Sequence, residues 1–204
     1  MENLIIILLI IPIAFTSYTA FHNPETMNKL QFNAYAIQHH KQWYRFFSYA
    51  FVHADWVHLL LNMYVLWAFG DIVMMFFRYY FANLANLYFL GLFIPATGIS
   101  VIWSYFRHRN DAYYNAVGAS GAVSAVVFAS IILYPHGKMG LLFFPVMIPS
   151  WIFGILYLVY TIVMAKRGSD NIGHDAHLWG AVYGILYTLL TVPGAYENFV
   201  SGIF

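Results

Sequence analysis

The chain contains no cysteine, which excludes disulfides, thiolate-held metals and a cysteine nucleophile. Charge is nearly as scarce. Asp, Glu, Lys and Arg together make up 8% of the 204 residues, against about 25% in an ordinary globular domain. A water-soluble fold of this length has no means of covering the 62% that is hydrophobic and the 21% that is aromatic, so the composition points to a membrane protein. Net charge is +1 and no basic run occurs, which argues against nucleic acid as a partner. No repeat or low-complexity segment divides the chain, and residues 1–204 suit a single polytopic membrane domain.

What the sequence has in place of charge is long apolar runs. Six segments approach the ~20 residues that a bilayer demands, at about 3–21, 55–77, 82–106, 117–134, 146–165 and 173–192. The first lacks a basic region before Leu4 and a small-residue cleavage site after Phe15, so it reads as a retained helix. The expected fold class is therefore an all-α membrane protein, a bundle of six transmembrane helices. The connection from His22 to Ala54 is long and sets Trp43, Tyr44, Phe46 and Phe47 beside Lys41 and Arg45, a mixture suited to the headgroup zone. The other loops are short, so the even-numbered segments run in one direction.

That parity brings three polar clusters to one depth. Ser120 opens the fourth segment, His177 lies in about the second turn of the sixth, and His58 and Asn62 lie in the first two turns of the second. Polar groups inside hydrocarbon are expensive and mark function. A Ser hydroxyl needs a base, which neutral imidazole supplies near pH 7. The oxyanion formed on attack at a carbonyl needs preorganised donors. His58 and Asn62 share a helix face, and the Ser120 N–H sits at a helix start where backbone donors are unpaired. Gly118 and Gly121 would let substrate backbone approach without a Cβ in the way. Gly180 and Gly184 form a GxxxG pair on the His177 face, and Gly121, Ala125 and Ala129 recur at four-residue spacing close to the Ser120 face, so two helices can meet backbone to backbone. Plain helix packing explains GxxxG or GASG equally well when either is taken alone. Asp175, two residues before His177, points to another face, which favours a dyad over a triad; Asp175 and Asn171 are read as caps of the sixth helix, His174 as support for the same helix entry, and His53 as fixing the end of the first loop. His53, His58, His174 and His177 would suffice for zinc, but no HExxH occurs and no acidic ligand lies at matching depth, so no metal and no cofactor is expected.

With those residues placed, the chain resembles the rhomboid intramembrane serine proteases of the minimal six-helix type over about 43–190. Trp43-Tyr44-Arg45 resembles the family's loop-one Trp–Arg motif with one residue inserted. His58-Leu59-Leu60-Leu61-Asn62 resembles HxxxN, Gly118-Ala119-Ser120-Gly121 GxSG, and Ala176-His177-Leu178-Trp179-Gly180 AHxxG, in the family's order. The resemblance implies Ser120 as nucleophile, His177 as general base and then acid, and His58, Asn62 and the Ser120 amide as oxyanion hole. It implies transmembrane protein substrates in the lipid bilayer, cut within or near their spanning segment. It also implies a cell (inner or plasma) membrane location with the site on the extracytoplasmic side, although the Lys and Arg distribution favours the reverse orientation. Two positions depart from the pattern. Ser124 stands where some members carry a tyrosine stacked under the histidine, which puts the support of His177 in question and leaves it to an aromatic elsewhere. Trp179 replaces the first glycine of the common AHLGG form. Two further readings compete: an inactive rhomboid-like protein that binds membrane clients, and a His-lined metal or ion transporter. The fifth segment, bulky with Trp151, Phe153, Tyr157 and Tyr160, is expected to hold the bundle loosely and to admit substrate. The loop from Lys166 to Gly173 is expected to cap the site. Shrinking Tyr157 or Tyr160 is accordingly expected to speed cleavage.

Overall fold

The computed structural model describes residues 4–140, 146–167 and 173–203. Among them the helices are α1 (Leu4–His22), α2 (Pro24–Leu30), α3 (Ala34–His40), α4 (Arg45–Ser48), α5 (Trp56–Phe81), α6 (Ala85–Ser100), α7 (Ile102–His108), α8 (Ser120–Leu133), α9 (Ser150–Arg167), α10 (His174–Thr191) and α11 (Ala195–Ser201). A two-stranded antiparallel hairpin, β1 (Lys138–Gly140) and β2 (Met147–Pro149), joins α8 to α9. The fold class is an all-α membrane bundle.

The bundle is built round α8. Every residue of that helix except Ser120 and Val127 is buried, and α5, α6, α9 and α10 all pack on it. Its sequence accounts for the central place: Gly121, Ala122, Ser124, Ala125, Ala129 and Ser130 keep its surface small, so four neighbours can close in. The outer helices carry bulky apolar side chains on the outside. Leu8, Ile11 and Phe15 of α1, Leu60 and Trp67 of α5, and Ile155, Leu156 and Val159 of α9 are all exposed, a surface that hydrocarbon solvates and water does not.

Among the described residues three stretches are long and apolar enough to cross a bilayer: Leu4–His22, Trp56–His108 and Ser150–Arg167. The second folds back on itself, because α5 packs against α6. α10 and α11 form a further pair bent by 110°. With 14 residues, α8 is about 21 Å long at ~1.5 Å per residue, shorter than the ~30 Å hydrocarbon core.

Several helix boundaries differ from those expected, each for a local reason. The fourth segment becomes helical at Ser120 rather than 117, because Gly118 takes a φ of +109° and the Ala119 N–H is held by His53. The third is interrupted at Ala82–Leu84 and at Val101. The fifth begins at Ser150, whose hydroxyl donates to the carbonyls of Tyr134 and Pro135 and fastens the hairpin to the end of α8.

The connection from His22 to Ala54 is folded. Helices α2 to α4 surround a small core of Phe32, Ala34, Ile37 and Tyr49, closed by Val101. Arg45 is buried as its hub: Nη1 donates to the carbonyls of Asn28 (2.9 Å) and Gln31 (2.5 Å), and Nε donates to Gln42 Oε1 (2.6 Å). Trp43 lies outside, exposed, with its ring 6.2 Å from that of Phe46.

Candidate active site

Two helices meet here at glycine. A Cβ on Gly180 would stand 2.0 Å from the Gly121 carbonyl oxygen, and one on Gly184 would stand 2.2 Å from that of Ala125. α10 therefore lies backbone to backbone on α8. Ser120, the first residue of α8, and His177, in the first turn of α10, are brought to a hydrogen bond of 2.7 Å between Oγ and Nε2. With Nε2 accepting from the hydroxyl, the ring proton resides on Nδ1, the tautomer a general base requires. Both residues are half-buried and, with Asn62, line a cavity of about 690 Å³ bounded by α5, α8, the hairpin and α9. Its walls are otherwise mostly apolar, among them Leu61, Val65, Phe69, Val123, Phe128, Met139 and Phe153.

The remaining expected residues divide. Asn62 is buried in the cavity wall, and its Nδ2 donates to the His58 carbonyl within α5 at 2.8 Å. The His58 imidazole is not part of that wall. It lies on Gly118, where a Cβ would be 2.5 Å from Cε1 and 2.7 Å from Nε2, and edge-on to His53 at 4.9 Å. The idea that Gly118 and Gly121 leave room for substrate is thereby corrected. The space beside Gly118 holds His58, and that beside Gly121 holds the Ser100 side chain, 2.5 Å from an added Cβ. Asp175 caps nothing: it lies inside α10, whose cap position is Gly173, and pairs with Arg107 at 3.4 Å. Asn171 and most of the loop expected as a cap, 168–172, lie outside the described residues. Among the described residues no group of three or more His, Asp or Glu stands close enough to hold a metal ion.

Two elements of the site were not read from the sequence. The first is the attachment of the run before Ser120 to the first loop. Phe32 and Ala116 exchange backbone hydrogen bonds, the Gly118 N–H donates to the Tyr49 carbonyl (3.0 Å), and the Ala119 N–H donates to His53 Nε2 (3.3 Å). His53 Nδ1–H is left to donate to Ser17 Oγ (2.9 Å), and that hydroxyl donates to the Phe51 carbonyl (3.0 Å). Burial, reinforced by the neighbouring His58, pushes the His53 pKa down to about 3, so the ring stays neutral and keeps its acceptor. The second element is Tyr157 of α9, whose ring stacks on His177 with centroids 6.4 Å apart and whose hydroxyl is 3.1 Å from Ser124 Oγ. Ser124 thus anchors a tyrosine from another helix.

Comparison with known proteins agrees with this architecture. Residues 40–194 match the rhomboid domain. The presenilin-associated rhomboid-like protein A, mitochondrial, of Danio rerio is 31% identical over 143 residues, covering 68% of this chain and 35% of that protein. The RHOMBOID-like protein 12, mitochondrial, of Arabidopsis thaliana is 30% identical over 65% of this chain and 41% of its own length. Rhomboid protein 1, mitochondrial, of Saccharomyces cerevisiae is 28% identical over 68% and 39%. The match thus spans well under half the length of each relative. The names of all three say mitochondrial, which overturns the expectation of a cell-membrane location. A domain match over most of the chain, and relatives that share it across kingdoms, carry one conclusion: this chain belongs to the rhomboid family.

Proposed function

We propose that the chain is an intramembrane serine endopeptidase acting through a Ser120–His177 dyad, on transmembrane protein substrates, in a mitochondrial membrane as its relatives' names suggest. The observation that carries this reading is the 2.7 Å hydrogen bond from Ser120 Oγ to His177 Nε2 in the wall of a mostly apolar cavity. In this reading the bundle crosses the bilayer six times, through α1, α5, α6 with α7, α8, α9 and α10.

The chemistry follows from the residues present. His177 Nε2 takes the Ser120 proton as Oγ attacks the scissile carbonyl, and the carbonyl oxygen becomes an oxyanion. Asn62 Nδ2, which has a second N–H, and the Ser120 amide, unpaired within the helix by its place at the helix start, are the donors available to it. Collapse breaks the C–N bond while the proton on Nε2 passes to the leaving amine. Water then attacks the acyl-Ser120 ester, with His177 again as base, and frees the acid. Asp175 has no part in this, since it is engaged with Arg107. The role of His58 is to hold the Gly118–Ala119 turn that presents the Ser120 amide.

The test is labelling by a fluorophosphonate. The wild-type chain should be labelled at Ser120, with Ser120→Ala unlabelled and His177→Ala slowed by about 10²–10⁴-fold, the usual weight of a general base. Each single variant should lose transmembrane substrate cleavage, and the double variant should be hardly worse, because the two act as a unit. Labelling that survives Ser120→Ala refutes the assignment.

A further inference from the structure

We propose that Tyr157 is a positioning residue for His177, and that it ties the alignment of the dyad to the packing of α9; this rests on the reading of Ser120 and His177 as catalytic. A 2.7 Å hydrogen bond fixes one atom of an imidazole but not the plane of the ring, because χ2 of histidine is a broad, two-fold torsion. Neighbouring rings set that plane: His174 stands edge-on with its centroid 6.0 Å away, and Tyr157 supplies a wall, lying 28° from parallel with its centroid 6.4 Å from that of His177, within the range of offset stacking.

Tyr157 is itself held on several sides. Its hydroxyl meets Ser124 Oγ, one turn beyond Ser120 on α8, and Phe153 and Phe128 lie 6.2 and 5.7 Å from its ring. The ring therefore joins three helices: it stands on α9, is anchored to the helix of the nucleophile and rests against the base on α10. The rest of α9 is lightly buried. Its buried residues are Ser150, Gly154 and Thr161, and Ile155, Leu156 and Val159 face outward. A displacement of α9 away from α8 withdraws the Tyr157 ring from His177, although neither Ser120 nor His177 stands on α9. This reverses what bulk alone suggests: shrinking Tyr157 slows the reaction instead of speeding entry.

The experiment compares the wild-type chain with Tyr157→Phe, Tyr157→Leu and Ser124→Ala, measuring kcat and KM on a transmembrane substrate and the rate of fluorophosphonate inactivation. Tyr157→Phe keeps the ring and loses only the bond to Ser124, so kcat should fall about two- to fivefold. Tyr157→Leu removes the wall and should lower kcat tenfold or more, on the scale of a misplaced catalytic group. Its KM should stay within about twofold, and inactivation by the small probe should slow by the same factor as kcat, because the defect lies in the dyad and not in substrate entry. The pair Ser124→Ala and Tyr157→Phe removes the same bond twice, so the double variant should be no worse than either single one. That arm stands even if Tyr157→Leu does not fold. Additive losses in the pair, equal behaviour of Leu and Phe at 157, or faster cleavage with an unchanged probe rate would each overturn the proposal while leaving the dyad intact. A wild-type chain that resists the phosphonate would remove the dyad reading first and the proposal with it.

Discussion

Replacing Gly180 by alanine puts one methyl group between α8 and α10, at the point where the two backbones meet. The added Cβ would lie 2.0 Å from the Gly121 carbonyl oxygen, 2.7 Å from its carbon and 3.1 Å from its Cα. All three atoms are main chain, so no side chain can turn aside. To bring the nearest contact from 2.0 Å to the 3.4 Å at which ordinary contact begins, α10 must retreat by about 1.4 Å. Gly180 is one turn beyond His177, and Gly121 adjoins Ser120, so the retreat acts directly on the 2.7 Å dyad bond and stretches it beyond hydrogen-bonding range. Overpacking of this kind costs about 1–3 kcal/mol of stability, which a bundle with so large a buried core survives. The rate should fall by about 10²-fold or more. Thermal unfolding and phosphonate inactivation, measured on the same preparation, separate the two effects. Gly173→Ala is the control: it also lies at the start of α10, but its Cβ would meet only the Ala176 methyl, at 3.8 Å. Full activity in Gly180→Ala, or an equal loss in Gly173→Ala, would refute the claim that this contact sets the dyad distance.

Asn62→Ala should lower kcat more than it raises KM, since its donor matters where negative charge develops; a change confined to KM would assign Asn62 to substrate binding. Stability should also depend on His53. Its pKa falls from 6.5 to about 3 on folding, so the folded state binds fewer protons than the unfolded one between those values. The His53 contribution is whole above about pH 6.5 and is lost as pH falls towards 3, by up to roughly 1.4 kcal/mol per unit. His53→Gln should flatten that part of a pH–unfolding curve, and an unchanged slope would count against the buried neutral ring. Finally, Tyr64 of α5 and Phe153 of α9 line the same cavity, and the chain has no cysteine of its own. Compared with the same double-cysteine variant before cross-linking, a cross-link between cysteines placed at these two positions should block cleavage of a transmembrane substrate while leaving phosphonate inactivation within about twofold, an entry effect without loss of chemistry. Undiminished cleavage would exclude entry between these helices.

Much of this protein was legible in its residue order because the signals are local. Apolar runs near bilayer length state the class, and the ordered HxxxN, GxSG and AHxxG motifs state the family. The four-residue spacing of Gly180 and Gly184 marks a helix face that admits close approach, wherever its partner lies. Parity of the helices then places Ser120, His177 and Asn62 at one depth without any coordinates. Which membrane holds the chain was not legible, since no local pattern names it, and the expectation of a cell membrane was overturned only by the relatives' names.

The tertiary structure decided what depends on pairs far apart in the chain. Ser124 and Tyr157 sit on different helices, as do Arg107 and Asp175, and no periodicity connects the members of either pair. His53 reads as fixing the end of the first loop, and only the fold shows that its ring accepts from the Ala119 amide. The glycines show the division most clearly. Sequence says that Gly118 and Gly121 lack a side chain, and only packing says what fills the space: His58 in one case and Ser100 in the other. A residue's own chemistry is local, whereas the identity of its neighbour is settled by how whole helices pack; the sequence therefore names the groups able to react, and the fold selects which of them are held in line.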